Sequence, residues 1–128
     1  MADVKRLLVV DDALIMRMRI RDIAREAGWD VVGEAATGAD GVARYRELRP
    51  DLVTLDIVMP ELDGVEALRA IRTEDPSARV VMVSALDQRA KLSECIALGA
   101  VDFIVKPFDK QRLLELFRKA AAEPPAAG

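Results

Sequence analysis

LLVVDD, residues 7 to 12, sets four apolar residues directly against two aspartates, Asp11 and Asp12. An unbroken run of Leu and Val reads as a strand buried on both faces, the kind found in parallel sheets. Packing gives no reason for such a strand to stop at a doubled negative charge. Its carboxyl end must therefore open onto a place where the charges are used.

Four more runs extend the reading. Leu52–Leu55 (broken by Thr54), Val80–Val83 and Phe103–Val105 are continuous and short, as in buried strands. Residues 31 to 36, interrupted by Gly33 and Glu34, are more mixed and suit an edge strand. Between the runs the apolar spacing changes to that of helices. Met16, Ile20, Ile23 and Ala27 form one stripe, with arginines on the other faces, which read as solvated. Val42, Tyr45 and Leu48 form a second, and Val65, Leu68 and Ile71 a third. Leu92, Cys95 and Ile96 precede Gly99, a helix stop. Leu113, Leu116, Phe117 and Ala120 make the last, with Asp109 as its N-cap. Asp63–Gly64 reads as a turn, and Asp87 as a cap. Five strands alternating with five helices predict an α/β doubly wound five-stranded parallel sheet.

The strand ends carry the chemistry. The first ends at Asp11 and Asp12, the third (LVTLD) at Asp56, the fourth (VVMVS) at Ser84 and the fifth (FIVKP) at Lys106. In a parallel sheet these ends lie along one edge, where ligands bind at the switch in strand order. Three carboxylates there repel: at about 5 Å and an effective dielectric of about 20, each pair costs roughly 3 kcal/mol. A divalent cation offsets this, and Lys106 offsets more. The chain has no histidine, so the cation must be held by oxygen, which favours Mg²⁺. The absence also excludes Ser-His-Asp and Cys-His catalysis. Carboxylates, a hydroxyl and an ammonium together suit phosphoryl transfer, with a carboxylate as nucleophile.

VVDDA at 9–13, LDIVMPELDG at 55–64, VSA at 83–85 and FIVKPF at 103–108 carry a resemblance. The chain resembles the response-regulator receiver domains of two-component signalling, most closely the single-domain CheY type of chemotaxis. The resemblance spans about residues 5 to 120. It implies the strand order 2-1-3-4-5 of the flavodoxin-like, CheY-like folds. It implies that Asp56 is the phosphoacceptor and that Asp11 and Asp12 position Mg²⁺, with Asp12 the direct ligand beside Asp56 and the backbone carbonyl of Val58. Ser84 matches the hydroxyl that bonds the phosphoryl group, Lys106 the lysine that pairs with it, and Lys106–Pro107 a cis peptide. Phe103 stands at the aromatic switch position, as Phe rather than Tyr. Val58 and Leu86 occupy two variable positions that flank the line of water attack.

The expected function is a phosphorylation-activated switch and not an enzyme, acting only in phosphorylation and dephosphorylation of its own Asp56. Its partners would be a sensor histidine kinase, a target bound through the helix 4–strand 5–helix 5 face, and a phosphatase. The domain would span residues 1–122, with 123–128 a disordered tail or the start of a linker. A phosphatase using an aspartyl-phosphate intermediate would need a second aspartate at position 58, which is valine. A flavodoxin-like carrier would need a hydroxyl- and Gly-rich loop where DDALIM stands. Plainer readings of single residues exist: Asp12 as a helix cap, Asp56 as a turn acid before Pro60, Lys106 as a solvated charge, Phe103 as core. The convergence of all of them on one edge outweighs these.

Composition agrees. The 128 residues fit one domain, with 52% hydrophobic and 32% charged residues. A net charge of −3 gives no case for nucleic acid or an anionic membrane. No run approaches a membrane span, no signal peptide is expected, and the single Cys95 excludes an internal disulfide. A cytoplasmic monomer is the expectation.

Overall fold

The computed structural model describes residues 5–123. Strands β1 (Arg6–Val10), β2 (Asp30–Ala35), β3 (Leu52–Asp56), β4 (Val80–Ala85) and β5 (Asp102–Lys106) alternate with helices α1 (Leu14–Glu26), α2 (Gly38–Leu48), α3 (Gly64–Glu74), α4 (Arg89–Ala97) and α5 (Lys110–Ala122). All strand pairs are parallel, in the order β2-β1-β3-β4-β5. The expected fold is therefore the observed one. The tail expected from residue 123 lies, apart from Glu123, outside the described residues.

Alternation along each strand divides the core in two. Leu8, Val10, Leu55 and Met82 pack beneath α2, α3 and α4 with Leu68 and Cys95. Leu7, Val9, Val83 and Ile104 pack beneath α1 and α5 with Ile20 and Phe117. β2 is an edge strand, as its mixed sequence suggested. β5 is the other edge, and this corrects the expectation that its run is buried on both faces: Phe103 is 39% exposed. The helix stripes hold in α1, α2, α3 and α5, although Leu114 rather than Leu116 completes the buried face of α5. In α4 only Cys95 is buried and Ile96 faces out, so the expected stripe there is too wide.

Caps explain where the helices begin. Asp109 accepts from Arg112 N at 2.8 Å and Thr37 from Asp40 N at 3.0 Å. Asp63, read as a turn residue, caps α3 by accepting from Glu66 N at 3.1 Å. Asp87 does not cap α4. Gln88 takes the N-cap position, and its side chain turns back to accept from Ala85 N at 2.8 Å.

No described helix is long and apolar enough to cross a membrane.

Candidate phosphorylation site

The register brings the strand ends together. Val10 pairs with Leu55, Asp56 with Val83, and Ala85 with Lys106. Asp11, Asp12, Asp56, Ser84 and Lys106 thus share one edge, at the β1/β3 neighbourhood where strand order reverses. Asp11, Asp12 and Asp56 each offer a carboxylate oxygen, and these oxygens lie within 4.8 Å of one another.

The three acids differ in what they already do. Asp11 is fully buried. Its Oδ1 accepts from Ala13 N at 2.9 Å and its Oδ2 from Lys106 Nζ at 3.1 Å. Asp56 is 6% exposed and lies 3.4 Å from Lys106 Nζ. Asp12 is exposed, and its carboxylate takes part in none of the hydrogen bonds or ion pairs found among the described residues. It does not cap α1, whose N-cap is Ala13.

Electrostatics follow from this crowding. Burial, and then the charge of Asp11, push the Asp56 carboxyl up to about 6, against the pull of Lys106. Burial works to lower Lys106, but the carboxylates of Asp56 and Asp11 outweigh it and hold the ammonium above its ordinary range. One ammonium shared by two carboxylates leaves the site short of positive charge. A hard divalent cation fits this donor set, with Asp12 free and Asp56 reluctant to be charged alone.

The loop after β3 closes tightly over Asp56. Gly64 N donates to Ile57 O at 2.6 Å, and a Cβ on Gly64 would stand 2.1 Å from Asp56 O. Only glycine permits that approach. Val58 lies in this loop, 49% exposed, and Leu86, just past β4, is 71% exposed. Ser84 is buried, and among the described residues its hydroxyl has a single 3.4 Å contact, with Ala85 O. The Lys106–Pro107 peptide bond is cis.

Residues 7–118 match the family model described as the response regulator receiver domain. The chain belongs to the response regulator receiver domain family. It is 48% identical over 117 residues to a chemotaxis protein CheY of Thermotoga maritima, covering 91% of this chain and 98% of that protein. It is 51% identical over 114 residues to the CheY of Bacillus subtilis, covering 89% and 95%. Among solved structures, the CheX–CheY–BeF3–Mg complex from Borrelia burgdorferi matches with a TM-score of 0.87 and 34% identity, covering 93% of this chain and 90% of that one. As a receiver domain, the chain is a phosphorylation-activated response regulator of two-component signalling.

Sequence reading missed two arginines of α1 that reach back to the loops at this sheet edge. Arg17 and Arg19, assigned to a solvated face, both bind loops at the carboxyl edge of the sheet: Arg17 Nη1 donates to Asp11 O at 2.7 Å, and Arg19 Nη2 to Phe108 O at 2.9 Å. Arg19 also lies 4.8 Å from the centroid of the Phe108 ring. An arginine one turn into a helix carries no local signal that its head folds back toward the strand ends.

Proposed function

We propose that this protein accepts a phosphoryl group on Asp56 from a phosphohistidine of a sensor kinase and then binds a protein target in chemotaxis or motility control. The convergence of three carboxylates and one lysine at a single sheet edge carries the reading. A carboxylate oxygen of Asp56 attacks phosphorus, the P–N bond breaks, and the electron pair leaves with the imidazole. An acyl phosphate forms on Asp56. Lys106 is close enough to neutralise a phosphoryl oxygen, and the Ser84 hydroxyl is free to donate to another.

Asp12, Asp56 and the Val58 carbonyl would hold Mg²⁺, with Asp11 fixing the arrangement. When bound, the ion supplies the positive charge that lets Asp56 ionise and lets phosphoryl oxygens approach it. Exposed Leu14 and Ile15 follow β1, and exposed Val58 and Leu86 follow β3 and β4. An apolar rim around an acidic pit fits a protein phosphodonor. Ile96, Val101 and Phe103 are exposed on α4 and β5 and fit the output face, with α5 beside them. The proposal covers a cytoplasmic monomer, residues 1–122 as the receiver unit, a phosphatase as further partner, and no enzymatic action on other molecules.

Incubation with acetyl phosphate tests the reading. Labelling should require Mg²⁺ and should vanish in Asp56→Asn. Metal-independent, acid-stable label on that variant would overturn it.

A further inference from the structure

Arg17 is only 15% exposed although it lies on the outer helix α1. Its Nη1 donates to the backbone oxygen of Asp11 at 2.7 Å, and its Nε to Glu34 Oε1 at 3.3 Å. Glu34 stands on β2, paired with Val9 of β1. The other Glu34 oxygen receives Arg21 Nη1 at 3.5 Å. One guanidinium therefore spans from the edge strand to the first peptide beyond β1.

That peptide joins Asp11 to Asp12. Because it is planar, fixing its oxygen fixes the plane, and with it the position of the Asp12 Cα. The rest of Asp11 is already tied down: its N–H donates to Ala35 O at 3.0 Å, and both carboxylate oxygens are occupied. Among the described residues the Asp12 carboxylate has no hydrogen-bond or ion-pair partner, so its aim follows from the placement of its backbone.

We propose that Arg17 is a positioning residue for the cation site: braced by Glu34, it orients the Asp11–Asp12 peptide so that the Asp12 carboxylate points toward Asp56. The inference rests on the reading of Asp12 and Asp56 as cation ligands. The fork of the guanidinium is essential, because a lysine ammonium cannot serve the carbonyl and the carboxylate with the same geometry. Charge alone predicts the opposite effect. Arg17 is a cation near a cation site, so its removal would tighten metal binding if electrostatics were its only role. Generic packing of α1 predicts that Arg21, which shares Glu34 but does not reach Asp11, matters equally.

The test is Mn²⁺ binding to the full chain without phosphodonor, followed by electron paramagnetic resonance, with urea unfolding by Trp29 fluorescence as the folding control. Arg17→Ala should weaken Mn²⁺ binding roughly tenfold, about 1.4 kcal/mol, in the range for residues that orient metal ligands. Arg17→Lys should recover little of it. Arg21→Ala should change binding by less than about twofold. Glu34→Ala should weaken binding on its own but add nothing in the Arg17→Ala background, since both act through one contact. Unchanged or tighter binding in Arg17→Ala, or additive effects with Glu34→Ala, overturns the proposal. If Arg17→Ala fails to fold, Arg17→Lys and Glu34→Ala decide it by the same weakening. Wild-type binding that survives Asp56→Asn condemns the cation-site reading itself. Binding that Asp56→Asn abolishes but Arg17 variants leave intact condemns only the positioning role.

Discussion

Lys106 stands nearer to Asp11 than to Asp56: its Nζ is 3.1 Å from Asp11 Oδ2 and 3.4 Å from Asp56 Oδ2. The lysine that would neutralise a phosphoryl group is thus shared with the buried acid next door. Asp56 receives only part of the compensation it needs, and its carboxyl sits up near 6. Metal dependence, pH dependence and stability all follow from that shared ammonium.

The first consequence is competition between proton and cation. The nucleophile must be the carboxylate, so phosphorylation by acetyl phosphate should slow as pH falls through about 6. Mg²⁺ favours the ionised form, so raising its concentration should move the midpoint to lower pH. Initial labelling rates across pH 5–8 at two Mg²⁺ concentrations check this. A midpoint that ignores Mg²⁺ would show that Asp56 is not where proton and metal compete.

Stability should carry the same signature. The folded pKa of Asp56 lies above its ordinary value of 3.8, so the folded state binds this proton more tightly than the unfolded state. The stabilisation is fully present below about pH 4 and is lost as pH rises through about 6. Asp56→Asn should therefore stabilise the fold at pH 7.5, by on the order of 1–3 kcal/mol, and give little gain at pH 4. Mg²⁺ should stabilise wild type but not the variant. Urea unfolding followed by Trp29, which is 3% exposed, measures both. A variant less stable than wild type at pH 7.5 would contradict the electrostatic account.

The sheet and the site were legible for one reason. Leu7–Asp11, Leu52–Asp56 and Val80–Ser84 are local runs whose last residues are chemically out of place, and a parallel sheet puts such ends side by side. What was not legible depends on direction rather than residue type. Arg79 immediately precedes β4 yet is 8% exposed, donating to Ala120 O at 2.9 Å and lying 3.2 Å from Glu123. Trp29 donates to Phe117 O at 3.0 Å. Both partners lie far along the chain on α5, beyond any local pattern. Phe103 and Ile96 look like core residues in sequence, yet Phe103 is exposed on the edge strand β5 and Ile96 on the outer side of α4.

Lifetime of the acyl phosphate is the next test. Val58 and Leu86 are exposed apolar residues in the loops that follow Asp56 and Ser84. Neither can orient an attacking water, both can exclude it, and the chain has no histidine to act as base. Val58→Asn with Leu86→Glu should speed hydrolysis by roughly one order of magnitude, about 1.4 kcal/mol in barrier. Decay of purified, phosphorylated protein is the measurement. A double variant that decays no faster than wild type would remove the apolar gate as the determinant.

Phosphorylation should finally reach the output face through Ser84 and Phe103. The Ser84 hydroxyl has a long 3.4 Å contact with Ala85 O to give up, and a phosphoryl oxygen on Asp56 is a stronger acceptor for it. Beside Ser84 lies a cleft of about 250 Å³, lined also by Leu86, Leu92, Val105 and Phe103 itself. Phe103 is 39% exposed, and its ring has room to turn inward once the β4–α4 loop is drawn toward Asp56. Burying the remainder of a Phe side chain is worth about 1 kcal/mol, enough to shift a near-balanced equilibrium about fivefold. Because position 103 is Phe, that gain is apolar, with no phenol to add a hydrogen bond. Phe103→Ala should therefore leave the rate of acetyl phosphate labelling nearly unchanged while weakening the phosphorylation-induced change at α4. A fluoroberyllate-bound structure, set against the free protein, should show Phe103 buried and the N-terminal turn of α4 displaced. An outward Phe103 and an unmoved α4 in that structure would break the link between Asp56 and the output face.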